Sequence, residues 1–254
     1  MSNIDREIRD RVHVFSSFFY RRLSSAPIPQ EVDLSTKDSP KKRTGFDLVR
    51  SWTRKIDIFS KDFIVVPICE NLHWYVAIIC YPQHMLQERP EVIDIVDAYD
   101  DKQTDDKPRT TILFLDSLGI TTGLKMSYTL KRLSRYLVHE AADKRGVKTS
   151  RDLVFGKAVR VPKQNNFSDC GCFLLQYVEQ FFNGPPEQIY HDMLTTEDYS
   201  NWFPPSTAAC RRLSMRKRID ELAEDYQSRA ALRASKERIV IEDRSSDVEE
   251  INIG

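Results

Sequence analysis

Cys170 stands where a polar loop turns into an apolar helix. The stretch 161–182 reads Val-Pro-Lys-Gln-Asn-Asn-Phe-Ser-Asp-Cys-Gly-Cys-Phe-Leu-Leu-Gln-Tyr-Val-Glu-Gln-Phe-Phe. From Gly171 to Phe182 only Gln176, Glu179 and Gln180 are plainly polar, at i, i+3 and i+4. One narrow wet stripe on an apolar run predicts a largely buried helix that opens at or just after Cys170. Asn183-Gly184-Pro185-Pro186 stops it. A cysteine at the start of such a helix meets the positive end of the helix dipole, which favours thiolate over thiol. Gln164 lies six residues upstream, near enough for its amide to share the pocket. A thiolate beside an amide donor and a backbone N–H is the layout of an acyl-transfer site with an oxyanion hole.

Such a nucleophile needs a base and a group to orient it, and two further polar residues stand at the ends of apolar elements. Residues 62–69 and 73–81 read as two buried strands joined by the turn Glu70-Asn71-Leu72, an antiparallel hairpin. His73 opens the second of these strands, where a side chain can face a cleft. The short apolar strand 112–115 delivers Asp116 at its end, and a carboxylate there is costly unless paired. Singly, each residue has a plainer reading: Asp116 in a turn, His73 in a hairpin, Cys170 an inert core thiol. Together with Gln164 they need only one explanation, a nucleophile, base, orienting acid and oxyanion donor.

The remaining elements must hold these four in place. Residues 12–23 fit an amphipathic helix or a strand passing into one, and 24–44 read as a surface loop. Residues 46–55 look helical, with Phe46, Val49 and Trp52 three apart and Trp52 a core anchor. Residues 82–110, rich in Pro, Asp and Lys, read as an exposed insertion. A long amphipathic helix is expected over 125–145, a strand over 154–161, and a charged helix over 206–233. The tail 234–254 reads as flexible and acidic.

Composition narrows the function class. The 254 residues carry 38 basic and 38 acidic side chains, so no global field favours nucleic acid or a membrane surface. There is no apolar run of membrane-spanning length and no signal-peptide pattern at the N-terminus. Five cysteines at irregular spacing do not read as a disulfide framework, which points to a reducing, intracellular setting. Cys170-Gly171-Cys172 lacks metal-ligand spacing, so neither a metal nor a cofactor is expected.

His73-Trp74, Asp116-Ser117-Leu118 and Gln164-x5-Cys170-Gly171, in that order, resemble the Ulp/sentrin-specific cysteine proteases that cut SUMO. Trp52-Thr53-Arg54-Lys55-x-Asp57-x-Phe59, Val65-Val66-Pro67-Ile68 and the long insert before Asp116 resemble the fungal branch that trims poly-SUMO chains. The resemblance covers residues 12–205 within a catalytic domain placed at 1–233. It implies an α+β, papain-like-superfamily fold with a central mixed sheet flanked by helices. It also implies a SUMO isopeptidase, acting as a monomer in the nucleus on SUMO and its conjugates. In that reading Cys170 is nucleophile, His73 base, Asp116 orienting acid and Gln164 oxyanion donor. Gly171 and Trp74 contact the substrate, with Trp74 roofing a tunnel that passes only glycine. The family's opening Trp-x-Asn-Asp segment has no counterpart before Val12, so it is expected to be missing or replaced by another residue. A non-catalytic SUMO-binding scaffold, a protease of another ubiquitin-like modifier and a Cys-His acetyltransferase stay open as alternatives. In the tail, Ile239-Val240-Ile241 followed by acids resembles a SUMO-interacting motif, a short strand that adds to a sheet edge.

Overall fold

The computed structural model describes residues 6–27, 43–86, 109–121, 123–185 and 198–249. The chain divides after Pro205 into two compact units. In the first, strands β1 (Val12–Val14), β2 (Phe63–Glu70), β3 (His73–Cys80), β4 (Thr110–Leu115) and β5 (Val154–Ala158) form one sheet whose spatial order follows the chain. The sheet is mixed: the β1–β2 and β4–β5 pairs are parallel, and β2–β3 and β3–β4 antiparallel. This is the α+β arrangement implied by the resemblance.

Strands β2 to β4 are apolar almost throughout because both faces of the sheet are covered. On β2, Ile64, Val66 and Ile68 point one way, into a core shared with Leu133, Tyr136 and Leu137. Those three lie on helix α4 (Gly123–Arg145). The same core takes in Phe19 and Val49, on helices α2 (Phe18–Ser24) and α3 (Gly45–Val49). Phe63 points the other way, its ring edge-on to Phe181 at 5.4 Å and Phe182 at 5.6 Å. Both belong to α5 (Cys170–Asn183), which packs against β3.

The β2–β3 hairpin closes in two residues, Glu70 pairing with His73. Asn71 and Leu72 have φ of 52° and 62°, the left-handed pair that a type I′ turn requires. The cysteine helix, the hairpin and the strand ending before Asp116 all lie where the sequence puts them.

Residues 12–23 take the second of their two expected forms, a strand passing into a helix, after a short α1 (Arg6–Asp10). Other elements differ from the expectation. The helix over 46–55 is split into α3 and a 3₁₀ turn, Arg50–Thr53. The strand over 154–161 ends at Ala158. The expected exposed insertion begins later than 82, because Pro82–Leu86 is a 3₁₀ helix with Pro82 and Met85 buried. Thr110 clamps its base: its hydroxyl donates to the Tyr81 carbonyl at 2.8 Å and accepts from Met85 N–H at 3.0 Å. Residues 87–108, like 28–42 of the expected surface loop, lie outside the described residues.

The described part of the second unit is a single helix, α6 (Pro205–Glu249). It carries Ile239-Val240-Ile241, which the sequence reading made an extended strand in a flexible tail. Once a helix is nucleated each added residue gains a hydrogen bond, and the Arg- and Glu-rich flanks favour its continuation over an isolated strand.

Candidate active site

The end of the β3–β4 ladder brings His73 and Asp116 together. Val76 pairs with Leu115; one step further places Asp116 opposite Tyr75 and diagonal to His73 on the same face. His73 Nε2 lies 2.6 Å from Asp116 Oδ1, and both side chains are buried. Asp116 is held from the other side as well. Its Oδ1 accepts from Leu118 N–H at 2.9 Å and its Oδ2 from Thr121 N–H at 2.7 Å. Burial acts to raise the Asp116 pKa, but the hydrogen bonds from Thr121, His73 and Leu118 outweigh it and hold the carboxyl below its usual range. An ionised carboxylate only accepts, so Nε2 of His73 is the donor and Nδ1 the nitrogen left for proton exchange.

Cys170 opens α5 and is buried. Trp74, next to His73, covers this first turn: a Cβ added to Gly171 would meet Trp74 Cδ1 at 3.9 Å. Cys69 faces Trp74 across the hairpin. The Cys69 thiol is pushed up in pKa by burial and then by the charge of nearby Cys170. Cys80 is wholly enclosed, and burial pushes its thiol far up. Gln164 is tied by both ends of its amide, Oε1 accepting from Ser117 Oγ at 2.5 Å and Nε2 donating to the Asn166 carbonyl at 2.5 Å. One Nε2 hydrogen remains for a substrate oxygen.

The loop that delivers Cys170 is braced by Asn166. Its Oδ1 accepts from Ser168 N–H at 3.0 Å and Asp169 N–H at 3.1 Å, while its Nδ2 donates to Asp169 Oδ2 at 2.8 Å. Sequence reasoning singled out neither this brace nor the roles of Ser117, Thr121 and Lys163. The spacing Asn166-x-x-Asp169 is a legible turn signal. The contacts of Ser117 and Lys163 span 47 residues of sequence and leave no local trace.

A cysteine at a buried helix N-terminus, a histidine held by a carboxylate on the adjacent strand and a glutamine amide on the approach loop are the groups a thiol-protease site requires. The Ulp1 protease family C-terminal catalytic domain matches residues 1–208, and the chain belongs to that family. It is 34% identical to the probable ubiquitin-like-specific protease 2B of Arabidopsis thaliana over 88% of this chain and 23% of that protein. It is 34% identical to sentrin-specific protease 7 of Rattus norvegicus over 85% and 24%. With ubiquitin-like-specific protease 2 of Schizosaccharomyces pombe it shares 36% identity over 70% and 27%. The chain therefore spans about a quarter of the length of these relatives. A solved structure described as a de-sumoylating protease superposes with a TM-score of 0.61 at 25% identity, covering 89% of this chain and 75% of that one.

Proposed function

We propose that the chain is the catalytic domain of an isopeptidase that releases SUMO from lysine side chains by cutting after its Gly-Gly terminus. The observation that carries this is the oriented pair His73–Asp116, at 2.6 Å, with a cysteine opening a buried helix whose first turn lies under Trp74, the neighbour of His73. Membership of the protease family and likeness to proteins named as ubiquitin-like-specific or sentrin-specific supply the substrate class.

Cys170 Sγ attacks the carbonyl carbon after Gly-Gly while His73 Nδ1 takes the thiol proton. The oxyanion receives hydrogen bonds from Gln164 Nε2 and the Cys170 N–H. Collapse expels the lysine amine, which accepts the proton from His73, and leaves a thioester that water hydrolyses. Trp74 over Gly171 narrows the approach, so residues bulkier than glycine are excluded at the end of the substrate tail.

Chain trimming is the finer reading, supported by likeness to the protease 2 of fission yeast and by the phrases around Trp52 and Val65. Ile239, Val240 and Ile241 would add a second SUMO contact and raise local chain concentration. Because they lie in α6, docking as an added strand requires that part of the helix to unwind. We place the activity in the nucleus, with the cluster at Arg216, Lys217 and Arg218 as a basic address. The test is cleavage of a SUMO–lysine isopeptide and of a two-SUMO chain, followed by gel. Release from both supports the proposal. Hydrolysis of ubiquitin or another modifier in preference to SUMO would overturn the substrate assignment.

A further inference from the structure

We propose that Ser117 and Lys163 are positioning residues that lock the acid Asp116 and the oxyanion amide of Gln164 into one unit. The inference deepens the proposed function and rests on its assignment of Gln164 as the oxyanion donor.

The chemistry of the partners fixes which way the Gln164 amide points. The Asn166 carbonyl can only accept, so the NH₂ end must face it, 2.5 Å away. The carbonyl end then faces Ser117, whose hydroxyl donates to Oε1 at 2.5 Å. Ser117 is 1% exposed and Gln164 9%, so little water is at hand to replace either bond. The backbone repeats the tie, with Gln164 N–H donating to the Ser117 carbonyl at 3.2 Å.

Lys163 makes the matching tie to the acid. Its Nζ donates to the Asp116 carbonyl oxygen at 2.9 Å, an oxygen that also accepts from Gly119 N–H at 3.2 Å. The amine lies close over the backbone of residue 119. Gly119 has φ of +69°, and a Cβ there would come within 2.8 Å of Lys163 Nζ. Burial lowers the Lys163 pKa and the charge of Asp116 opposes it, as expected for an amine folded inward over the turn.

An oxyanion donor helps only when it is aimed before the charge develops. Removing the Ser117 hydroxyl leaves Gln164 Oε1 buried without its donor and leaves the amide aimed by the Asn166 carbonyl alone. An amide held at one end only is less sharply aimed, so its remaining Nε2 hydrogen stabilises the oxyanion less. Ser117 thus acts through Gln164, and Lys163 through the turn that carries both Asp116 and Ser117.

The test compares Ser117→Ala, Gln164→Ala and the double variant on two substrates, an acyl-Gly-Gly aryl ester and the SUMO isopeptide. Ser117→Ala is expected to lower kcat on the order of 10- to 100-fold on both, with KM within about twofold. In the Gln164→Ala background the same change should cost no more than about threefold, because its target is gone. Alkylation of Cys170 by iodoacetamide, read at peptide level by mass spectrometry, forms no tetrahedral oxyanion and should keep its wild-type rate in Ser117→Ala. Lys163→Met should lower kcat on both substrates, and an unchanged kcat there would overturn the role given to Lys163. An unchanged kcat in Ser117→Ala, equal losses in both backgrounds, or an equal fall in Cys170 alkylation would each overturn the proposal. Cleavage of the ester but not of the SUMO conjugate would overturn the substrate reading alone, leaving the variant ratios on the ester to decide this one. A protein inert toward the ester overturns both.

Discussion

Asp116 Oδ1 lies 2.6 Å from His73 Nε2 and 2.9 Å from the Leu118 nitrogen, so one oxygen serves both the His73 ring and the turn that follows Asp116. The acid is fixed by its own backbone before it fixes the histidine. This separates orientation from charge in a way that substitution can read.

Asp116→Asn keeps one acceptor oxygen, for either the Leu118 or the Thr121 N–H, sets an NH₂ against the other, and no longer holds Nε2 as donor as a carboxylate does. Turnover should fall on the order of 10³-fold or more while the fold persists. The lowered folded pKa of Asp116 makes its contribution to stability present above the ordinary carboxylate value of about 3.9 and lost as pH falls through the folded value below it. Melting curves from pH 7 down to pH 2 should therefore show a smaller acid loss in Asp116→Asn than in wild type. Near-normal cleavage by this variant would make Asp116 a structural turn residue.

Glu140 on α4 shows the opposite sign. It is fully buried, and Thr53 Oγ1 donates to its Oε1 at 2.5 Å. Burial raises its pKa, against the opposing hydrogen bond from Thr53. Stability linked to this group is complete below the unfolded glutamate pKa of about 4.3 and is lost as pH rises through the higher folded value. Glu140→Gln should gain in melting temperature relative to wild type across that window and hold the gain above it. A difference that does not change between pH 4 and pH 8 contradicts this account.

The turn before His73 gives a stability prediction away from the chemistry. Leu72 has φ of 62° and is 96% exposed, so it bears left-handed strain with no packing to offset it. A glycine relieves strain of about 1–2 kcal/mol and gives back about 0.4–1 kcal/mol through the freer unfolded chain. Leu72→Gly should stabilise the domain by about 0.5–1 kcal/mol, measured by urea unfolding with an unchanged slope. A destabilised variant would mean that the leucine side chain packs in solution.

Much of this site was legible in the sequence, and what was hidden has a common cause. The polar stripe Gln176, Glu179 and Gln180 marks α5 because burial imposes helical period on sequence, and the strands around Val66 and Val76 are plain because both faces are covered. His73, Asp116 and Cys170 each stand at the end of a strong apolar element, which made them visible one by one, and Gln164 was visible through its place six residues before Cys170. Their mutual geometry was not visible, because the diagonal from His73 to Asp116 is set by sheet register across 43 residues and the tie from Ser117 to Gln164 spans 47. Met85 was misplaced because a Pro- and Asp-rich composition describes the insertion on average and not its anchored base. Ile239-Val240-Ile241 looked extended on local propensity, which a long preceding helix overrides.

The central claim, that Cys170 is the nucleophile activated by the His73–Asp116 pair, is tested most directly by mass spectrometry of the protein after reaction with a SUMO vinyl sulfone. The account predicts one adduct on wild type, mapped to Cys170, lost in Cys170→Ser and retained in Cys172→Ser and Cys69→Ser. An adduct that survives in Cys170→Ser and disappears in Cys172→Ser or Cys69→Ser would contradict it.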